Sequence, residues 1–166
     1  MIRPANPADV PAIHAMIAEL ALFEKAPAEA VATVAQLSAA LFGPSPAVYA
    51  HVAVSPAGDV VGYAIWFLNF STWRGVHGIY LEDLYVRPTA RGGGYGKALL
   101  RELARLCVER GYARLEWWVL DWNPARSFYE SLGATALTEW VPYRVTGDAL
   151  AALASSSPSS VGDQSI

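Results

Sequence analysis

The amino-acid sequence predicts an α/β fold with a mixed sheet flanked by helices. Apolar residues recur at intervals of three and four near the N-terminus, as in an amphipathic helix, and alternate around residues 48–54, as in a strand. Further on, a strand, a glycine-rich turn, a helix and another strand follow one another. The chain has 166 residues, of which 54% are hydrophobic and 16% charged, so we expect one packed domain, placed at residues 1–150.

The first half of the chain is predicted to form a short strand, two helices and a hairpin. Asn6 caps the first helix and Pro7 occupies its first turn, a pair that helix N-termini favour. Gly43 and Pro44 stop the second helix, and Pro-Ala-Gly-Asp at 56–59 makes the hairpin turn. The predicted elements are a strand at 2–3, helices from Asn6 to about Phe23 and over 33–42, and strands around 48–54 and 60–69.

The second half is predicted to alternate strands and helices. One helix places leucines on an inner face and basic residues outside, and Gly111 ends it. The Ser-rich C-terminal segment, residues 151–166, is expected to be a flexible tail. The predicted elements are a strand at 79–86, a helix at 98–110, a strand at 114–120, a helix at 124–132, and closing strands near 136–137 and 141–145. The tryptophans expected to pack in the interior are Trp117, Trp118, Trp122 and Trp140.

Charge and cysteine content exclude several classes of protein. The net charge of −3 offers no overall attraction to nucleic acid or to an anionic membrane, and we find no targeting or membrane-spanning segment. The one cysteine, Cys107, excludes an internal disulfide framework and a Cys-rich zinc site. It also fits a reducing compartment, so we expect a cytoplasmic protein.

The charge is distributed unevenly along the chain. Residues 87–114 carry seven basic and two acidic side chains, a net charge of +5, whereas the rest of the chain carries −8. One interpretation is an arginine-rich helix face in solvent. The other is a site that is cationic where a phosphorylated cofactor binds and anionic where a cationic substrate arrives.

The glycine-rich turn at 91–97, Arg-Gly-Gly-Gly-Tyr-Gly-Lys, favours the second interpretation. It lies between a predicted strand and a predicted helix N-terminus, where unpaired backbone N–H groups attract anions such as a diphosphate. A plain tight turn is the structural alternative. A P-loop does not fit, because Ala98 stands where Ser or Thr is needed, and the dinucleotide fingerprint would need glycine at Lys97 or at Leu99.

The spacing of Arg91, Gly94 and Gly96 resembles the acyl-CoA-binding pattern Q/R-x-x-G-x-G/A of the GNAT N-acetyltransferase superfamily. I-Y-L-E-D-L-Y-V at 79–86 and L-D-W-N-P-A-R-S-F-Y-E-S-L-G-A at 120–134 extend the resemblance to the diamine (spermidine/spermine) and thialysine N-acetyltransferases. The resemblance implies the GNAT fold, with a mostly antiparallel sheet, and an enzyme that uses acetyl-CoA and no metal. It also implies a homodimer, as is typical of the family.

The resemblance implies an acetyl-CoA site made of three segments. The strand before the glycine turn offers backbone groups to the pantetheine arm, the turn holds the diphosphate, and the start of the next short helix contacts the cofactor from the other side. The matching residues are Leu84, Tyr85, Val86, Arg91, Gly92, Gly93, Gly94, Tyr95, Gly96, Lys97, Asn123 and Arg126.

Two residues match catalytic positions of the family. Tyr129, in the F-Y-x-x-x-G-A run, matches the proton donor, and a phenol near the thioester can protonate the departing CoA thiolate. Glu82 is the candidate base that takes the proton of the amine. Alternation along a strand would place Glu82 and Asp83 on opposite faces, so we do not expect them to share a proton.

Four residues are assigned to the amine substrate. Phe23 and Glu24 match the aromatic and acidic pair that binds the distal amine in the diamine branch, Trp73 matches an aromatic beside the substrate channel, and Asp83 is the carboxylate beside Glu82. The spermidine/spermine enzymes carry an acidic residue before that tryptophan, whereas this chain has Ser71-Thr72. The loss of that carboxylate makes the chain more similar to the thialysine branch and leaves room for a substrate with its own α-carboxylate.

We therefore predict acetyl transfer to the ω-amine of a small thialysine-, ornithine- or lysine-like molecule, by direct attack within a ternary complex. Polyamines are the alternative substrates, and a peptide amine is a third alternative. A non-catalytic acetyl-CoA-binding sensor, which would need the glycine turn alone, is the alternative class of protein.

Overall fold

The computed structural model describes residues 1–155, and the chain groups into two compact units, residues 1–119 and the residues from Leu120 onward. In the first unit the elements are β1 Ile2–Pro4, α1 Val10–Phe23, α2 Val34–Phe42, β2 Tyr49–Val54, β3 Val60–Ser71, β4 Val76–Val86, α3 Tyr95–Arg110 and β5 Leu115–Glu116. In the second unit they are α4 Ala125–Ser131 and α5 Gly147–Ser155. Among the described residues, no helix is long and apolar enough to cross a membrane.

The five strands of the first unit form one sheet in the order β1-β2-β3-β4-β5. All neighbouring strands are antiparallel except β4 and β5, which are parallel and pair through Ile79 with Leu115 and Tyr80 with Glu116. The prediction of an α/β fold with a mixed, mostly antiparallel sheet is confirmed.

The N-terminal helix begins where the sequence predicts it, for identifiable local reasons. The Asn6 side chain accepts a hydrogen bond from the Ala8 N–H at 2.9 Å, and the Asp9 carboxylate accepts one from the Asn6 N–H at 2.8 Å. The Asn6 side chain also accepts from the Asp9 N–H, so Asn6 and Asp9 form a capping box at a short 3-10 turn, after which α1 continues. Arg3 of β1 also binds Asp9, at 2.6 Å, and so ties the first strand to the start of the helix.

The core of the first unit lies largely between α1 and the sheet. Val10, Ile13 and Met16 of α1 pack in one buried cluster with Tyr63 and Tyr85 of the central strands. The spacing predicts Val10, Ile13, Ile17 and Leu20 on this face, and the last two are partly buried against the cluster. Helix α3 buries a further set outside this cluster, namely Leu99, Leu100, Leu103 and Cys107. Both helices therefore pack against the strands that lead to the glycine turn.

Strand β4 contains an irregularity that the sequence does not reveal. In its pairing with β3, Leu81 lies opposite Trp66 and Asp83 opposite Ile65, so Glu82 has no register partner. This is a β-bulge, in which one strand carries an extra residue and its regular alternation is broken. Strict alternation therefore does not hold across Glu82 and Asp83, and the prediction that they lie on opposite faces stays a prediction.

The strands predicted beyond α3 differ from the structure. The strand expected at 114–120 is only two residues long, and these pair with β4. In the described residues, no strand forms near 136–137 or 141–145. Trp118, Trp122 and Trp140 are 62%, 45% and 68% exposed, contrary to the expected packing.

The C-terminal end of the described chain is a helix, α5, which was not predicted. It includes residues 151–155 of the predicted tail, and the remaining tail residues, 156–166, lie outside the described residues.

Candidate functional site

The glycine turn lies where the sequence predicts it, between β4 and the N-terminus of the 16-residue helix α3. Gly92 has φ +81° and Gly94, the residue that precedes the helix, has φ +75°. These are left-handed backbone conformations that glycine adopts without the steric cost that other residues pay. The turn therefore presents the first backbone N–H groups of a long helix without a side chain at Gly92 or Gly94, which is a suitable arrangement for a phosphate group.

The side chain of Arg91 contacts the protein itself. Its Nε donates a hydrogen bond to the Val86 carbonyl at 3.0 Å, and its guanidinium carbon lies 5.7 Å from the ring centroid of Phe23 and 5.6 Å from that of Tyr85. Both distances are in the range of a cation–π contact. Arg91 thus links the start of the turn to the end of α1, where the predicted substrate residue Phe23 lies.

A pocket of about 340 Å³ lies beside this contact. It is lined by Glu19, Leu22, Phe23, Tyr85, Pro88 and Arg91. The lining is mainly apolar and aromatic, with one carboxylate and one guanidinium, so the pocket suits a small amphiphilic group.

The two predicted carboxylates of β4 have different surroundings. Glu82, at the bulge, is exposed, whereas Asp83 is partly buried and its Oδ2 accepts a hydrogen bond from the Tyr63 hydroxyl at 3.3 Å. Burial, and to a smaller extent the negative charges of Glu82 and Glu24, raise the pKa of Asp83 to about 6. The hydrogen bond from Tyr63 opposes this shift, because it favours the ionised form.

The predicted substrate residues are brought together only in part. Phe23 ends α1 and Glu24 follows it, close enough to Asp83 to affect the pKa of that carboxyl group. Burial also raises the pKa of Glu24 itself. Trp73, by contrast, lies in the turn between β3 and β4 with 93% of its surface exposed, almost entirely in solvent.

Three predicted residues lie in the second unit, at or near the start of α4. The Asn123 side chain accepts a hydrogen bond from the Ala125 N–H at 2.9 Å, and Arg126 donates to the Asp121 carbonyl at 3.0 Å. Tyr129 is partly buried within α4, with its ring centroid 5.4 Å from that of Phe128. Their roles toward acetyl-CoA stay predictions.

Tyr63 is the polar residue that sequence reasoning missed. A tyrosine within a hydrophobic strand is typical of packing, and its ring is indeed fully buried. Its hydroxyl reaches Asp83 because Tyr63 pairs with Tyr85, two residues along β4, so the tyrosine and the aspartate are diagonal neighbours across the strands. That relationship depends on the β3–β4 register, which the sequence alone does not provide.

Comparison with known proteins identifies similar sequences along most of the chain. The sequence profile described as the Acetyltransferase (GNAT) family matches residues 15–134. A thialysine N-epsilon-acetyltransferase of Bos taurus is 38% identical over 93% of this chain and 96% of its own length. The L-ornithine N5-acetyltransferase NATA1 of Arabidopsis thaliana is 34% identical over 92% of this chain and 86% of its own length.

A solved structure has a similar fold over nearly the whole chain. It is an integron cassette protein from the mobile metagenome of V. cholerae, with a TM-score of 0.78 and 28% identity, covering 94% of this chain and 98% of its own.

Proposed function

The chain belongs to the acetyltransferase (GNAT) family, and from that premise we propose that it acetylates the ω-amine of a small thialysine-, ornithine- or lysine-like molecule. Acetyl-CoA is the acetyl donor in this family, and the chain is accordingly an N-acetyltransferase. The choice of substrate is supported by the similarity, over nearly the full length, to enzymes named for thialysine and ornithine.

The donor site that we propose is consistent with the backbone of the first unit. Leu84, Tyr85 and Val86 pair with β3 on one side, whereas the described pairing of β4 with β5 stops at Tyr80. The other side of this part of β4 is therefore a strand edge in the described residues, with backbone groups that a pantetheine arm can bind. The glycine turn follows this edge and supplies N–H groups for the diphosphate.

The reaction requires two protons to leave the nitrogen of the substrate ammonium, one before the attack and one after it, and one proton to reach the thiolate. We assign the removal of the first proton to Glu82, directly or through water, and the protonation of the thiolate to Tyr129. The free amine nitrogen attacks the thioester carbonyl in a ternary complex, so that a C–N bond forms and the C–S bond breaks. Tyr129 gives its proton to the departing thiolate, CoA leaves as the thiol, and the second proton lost by the nitrogen restores the phenol. The exposure of Glu82 at the bulge supports its role, because an incoming amine can reach it.

The acidic group at the end of α1 supports a cationic substrate. Glu24 and Glu82 each act electrostatically on Asp83, and all three carry negative charge when ionised. Phe23 beside them provides an apolar surface for the methylene chain of the substrate. Polyamines are the alternative substrates, and Ser71-Thr72 before Trp73 argues against them, because a long polycation would gain from a further carboxylate there.

We also propose that the protein is a cytoplasmic homodimer. The second unit exposes large apolar side chains, among them Trp140 at 68% and Tyr143 at 92%, which a second copy could cover. The single cysteine, Cys107, is buried and free, as suits a reducing compartment. Light scattering should give twice the mass of one chain, and a monomer at micromolar concentration would contradict the dimer.

The experiment that tests the enzyme class is the release of CoA thiol in the presence and absence of amines. We expect release with thialysine, ornithine and lysine, and little with a peptide whose one amine is its N-terminus. Acetyl-CoA binding without thiol release from any amine would favour the sensor alternative instead.

A further inference from the structure

We propose that Tyr63 is a positioning residue for amine binding, whose hydroxyl keeps the Asp83 carboxylate ionised and oriented toward the ammonium group of the substrate. The inference rests on the proposed function, because it assigns Asp83 to the cationic end of that substrate. Tyr63 itself need not touch the substrate, since it acts through the carboxylate.

The geometry shows why Tyr63 is suited to this role. Its ring is fully buried in the cluster formed by α1 and the sheet, so its hydroxyl has a fixed position. The hydroxyl lies 3.3 Å from Oδ2 of Asp83, a long hydrogen bond of the kind that can shorten when a substrate complex forms. Burial raises the pKa of Tyr63, so the phenol stays protonated and can donate at physiological pH.

The surroundings of Asp83 explain why it needs such a donor. The charged groups that act on it are Glu82 of its own strand and Glu24 beyond α1, and both are negative. Tyr63 faces Asp83 from β3, and the hydrogen bond that Tyr63 donates lowers the pKa of Asp83 and so favours its ionised form. The ammonium of an amine substrate would add a positive charge beside these carboxylates and favour their ionised form.

Asp83, which accepts the hydrogen bond from Tyr63, lies beside the bulge and next to Glu82, the residue that we assign to proton transfer. Asp83 is the first residue to return to register after Glu82, opposite Ile65. A carboxylate held in place there can bind the cation while Glu82, the exposed neighbour, receives the proton. The two carboxylates therefore divide binding and proton transfer between them.

The test is the pH dependence of the Michaelis constant for the amine in Tyr63→Phe. Without the hydroxyl the pKa of Asp83 rises, so more of the carboxyl is protonated at mildly acidic pH and binds the ammonium weakly. We expect KM for thialysine to increase roughly tenfold near pH 6, about the effect of one lost hydrogen bond to a charged group. Near pH 8.5 the increase should be less than about twofold, with kcat and KM for acetyl-CoA close to wild type.

The control is a double-mutant cycle with Asp83→Asn. Asp83→Asn should raise KM for the amine across the whole pH range, and Tyr63→Phe should add little in that background, because the group through which it acts is gone. Thermal melts of all four proteins show whether any variant has lost its fold. An increase in KM that does not depend on pH, or that persists in the Asp83→Asn background, would overturn the positioning role.

A second measurement separates this inference from the proposed function. NMR titration of the Asp83 carboxyl group, with no substrate present, should give a higher pKa in Tyr63→Phe than in wild type. A wild-type protein that acetylates no amine contradicts the proposed function, whatever the titration shows. An unchanged Asp83 titration contradicts the positioning role, even if the enzyme is active.

Discussion

Asp83 and Glu82 are adjacent in the sequence but differ in what they can do. Glu82 is exposed and accessible to a substrate, whereas Asp83 is partly buried, and its pKa is raised, mainly by burial, to about 6. The sequence identifies both as carboxylates on a strand next to the glycine turn. It does not separate their roles, because burial depends on tertiary packing and the hydrogen bond from Tyr63 depends on the β3–β4 register.

Replacing Asp83 by Asn should stabilise the folded protein at neutral pH. A carboxyl whose pKa is raised in the fold is destabilising when ionised, so its contribution to stability falls as the pH rises from about 4 to about 6 and stays low above that. A shift of about two units corresponds to at most about 3 kcal/mol, and we expect a gain of about 1 to 3 kcal/mol at pH 7.5. Urea unfolding measures this gain.

The same experiment at pH 4 supplies the control for that variant. Asp83 is then protonated in the folded wild type, so the difference between the two proteins should shrink. Equal stability at pH 7.5, or a gain that is the same at both pH values, would show that the charge of Asp83 does not destabilise the fold.

Helix α3 has a glycine at each end, and the proposed diphosphate site involves only the N-terminal one. Gly94 precedes its N-terminus and Gly111 follows its C-terminus, and both have left-handed backbones, with φ +75° and +67°. In neither position would an added Cβ meet another heavy atom within 4 Å. The two glycines therefore form a matched pair, of which the first belongs to the proposed diphosphate site.

Gly94→Ala and Gly111→Ala should lower the stability of the fold by similar amounts, but only Gly94→Ala should weaken the binding of acetyl-CoA. Each substitution forces alanine into a left-handed conformation, at a cost of about 1 kcal/mol or slightly more. We expect similar losses in urea unfolding, and a several-fold increase in KM for acetyl-CoA in Gly94→Ala alone. An equal effect of both variants on that KM would argue against a diphosphate at the turn.

Elements with strong local signals could be predicted from the sequence, and those that depend on distant partners could not. The capping box at Asn6 and the glycine at the end of α3 are local, and the helices beside them are close to their predicted bounds. The bulge at Glu82 depends on the register with β3, and the short β5 depends on pairing with β4. Neither can be read from the residues of one strand.

At the scale of the whole molecule, the uneven charge has a physical explanation. The basic segment 87–114 includes the glycine turn and α3, where the diphosphate of acetyl-CoA is proposed to bind. Glu24, Glu82 and Asp83 belong to the acidic remainder, where the amine is proposed to bind. The net charge of −3 conceals this division, although it is consistent with a protein that does not bind nucleic acid.

The residues proposed to bind the amine were harder to predict from the sequence than the glycine turn proposed to bind acetyl-CoA. The glycine turn is a continuous motif, so the sequence locates it directly. Glu24 and Asp83 are far apart in the sequence and meet because α1 packs on the sheet. Trp73, assigned by the resemblance alone, is almost fully exposed and makes a weaker candidate than its motif suggests.

The most direct test of the proposed function is kcat/KM for thialysine and ornithine compared with spermidine, measured with the full chain at saturating acetyl-CoA. We predict values for the amino acids at least roughly tenfold higher, a difference that a single missing or added polar contact can produce. A higher kcat/KM for spermidine would contradict the assigned substrate and place the protein with the polyamine acetyltransferases.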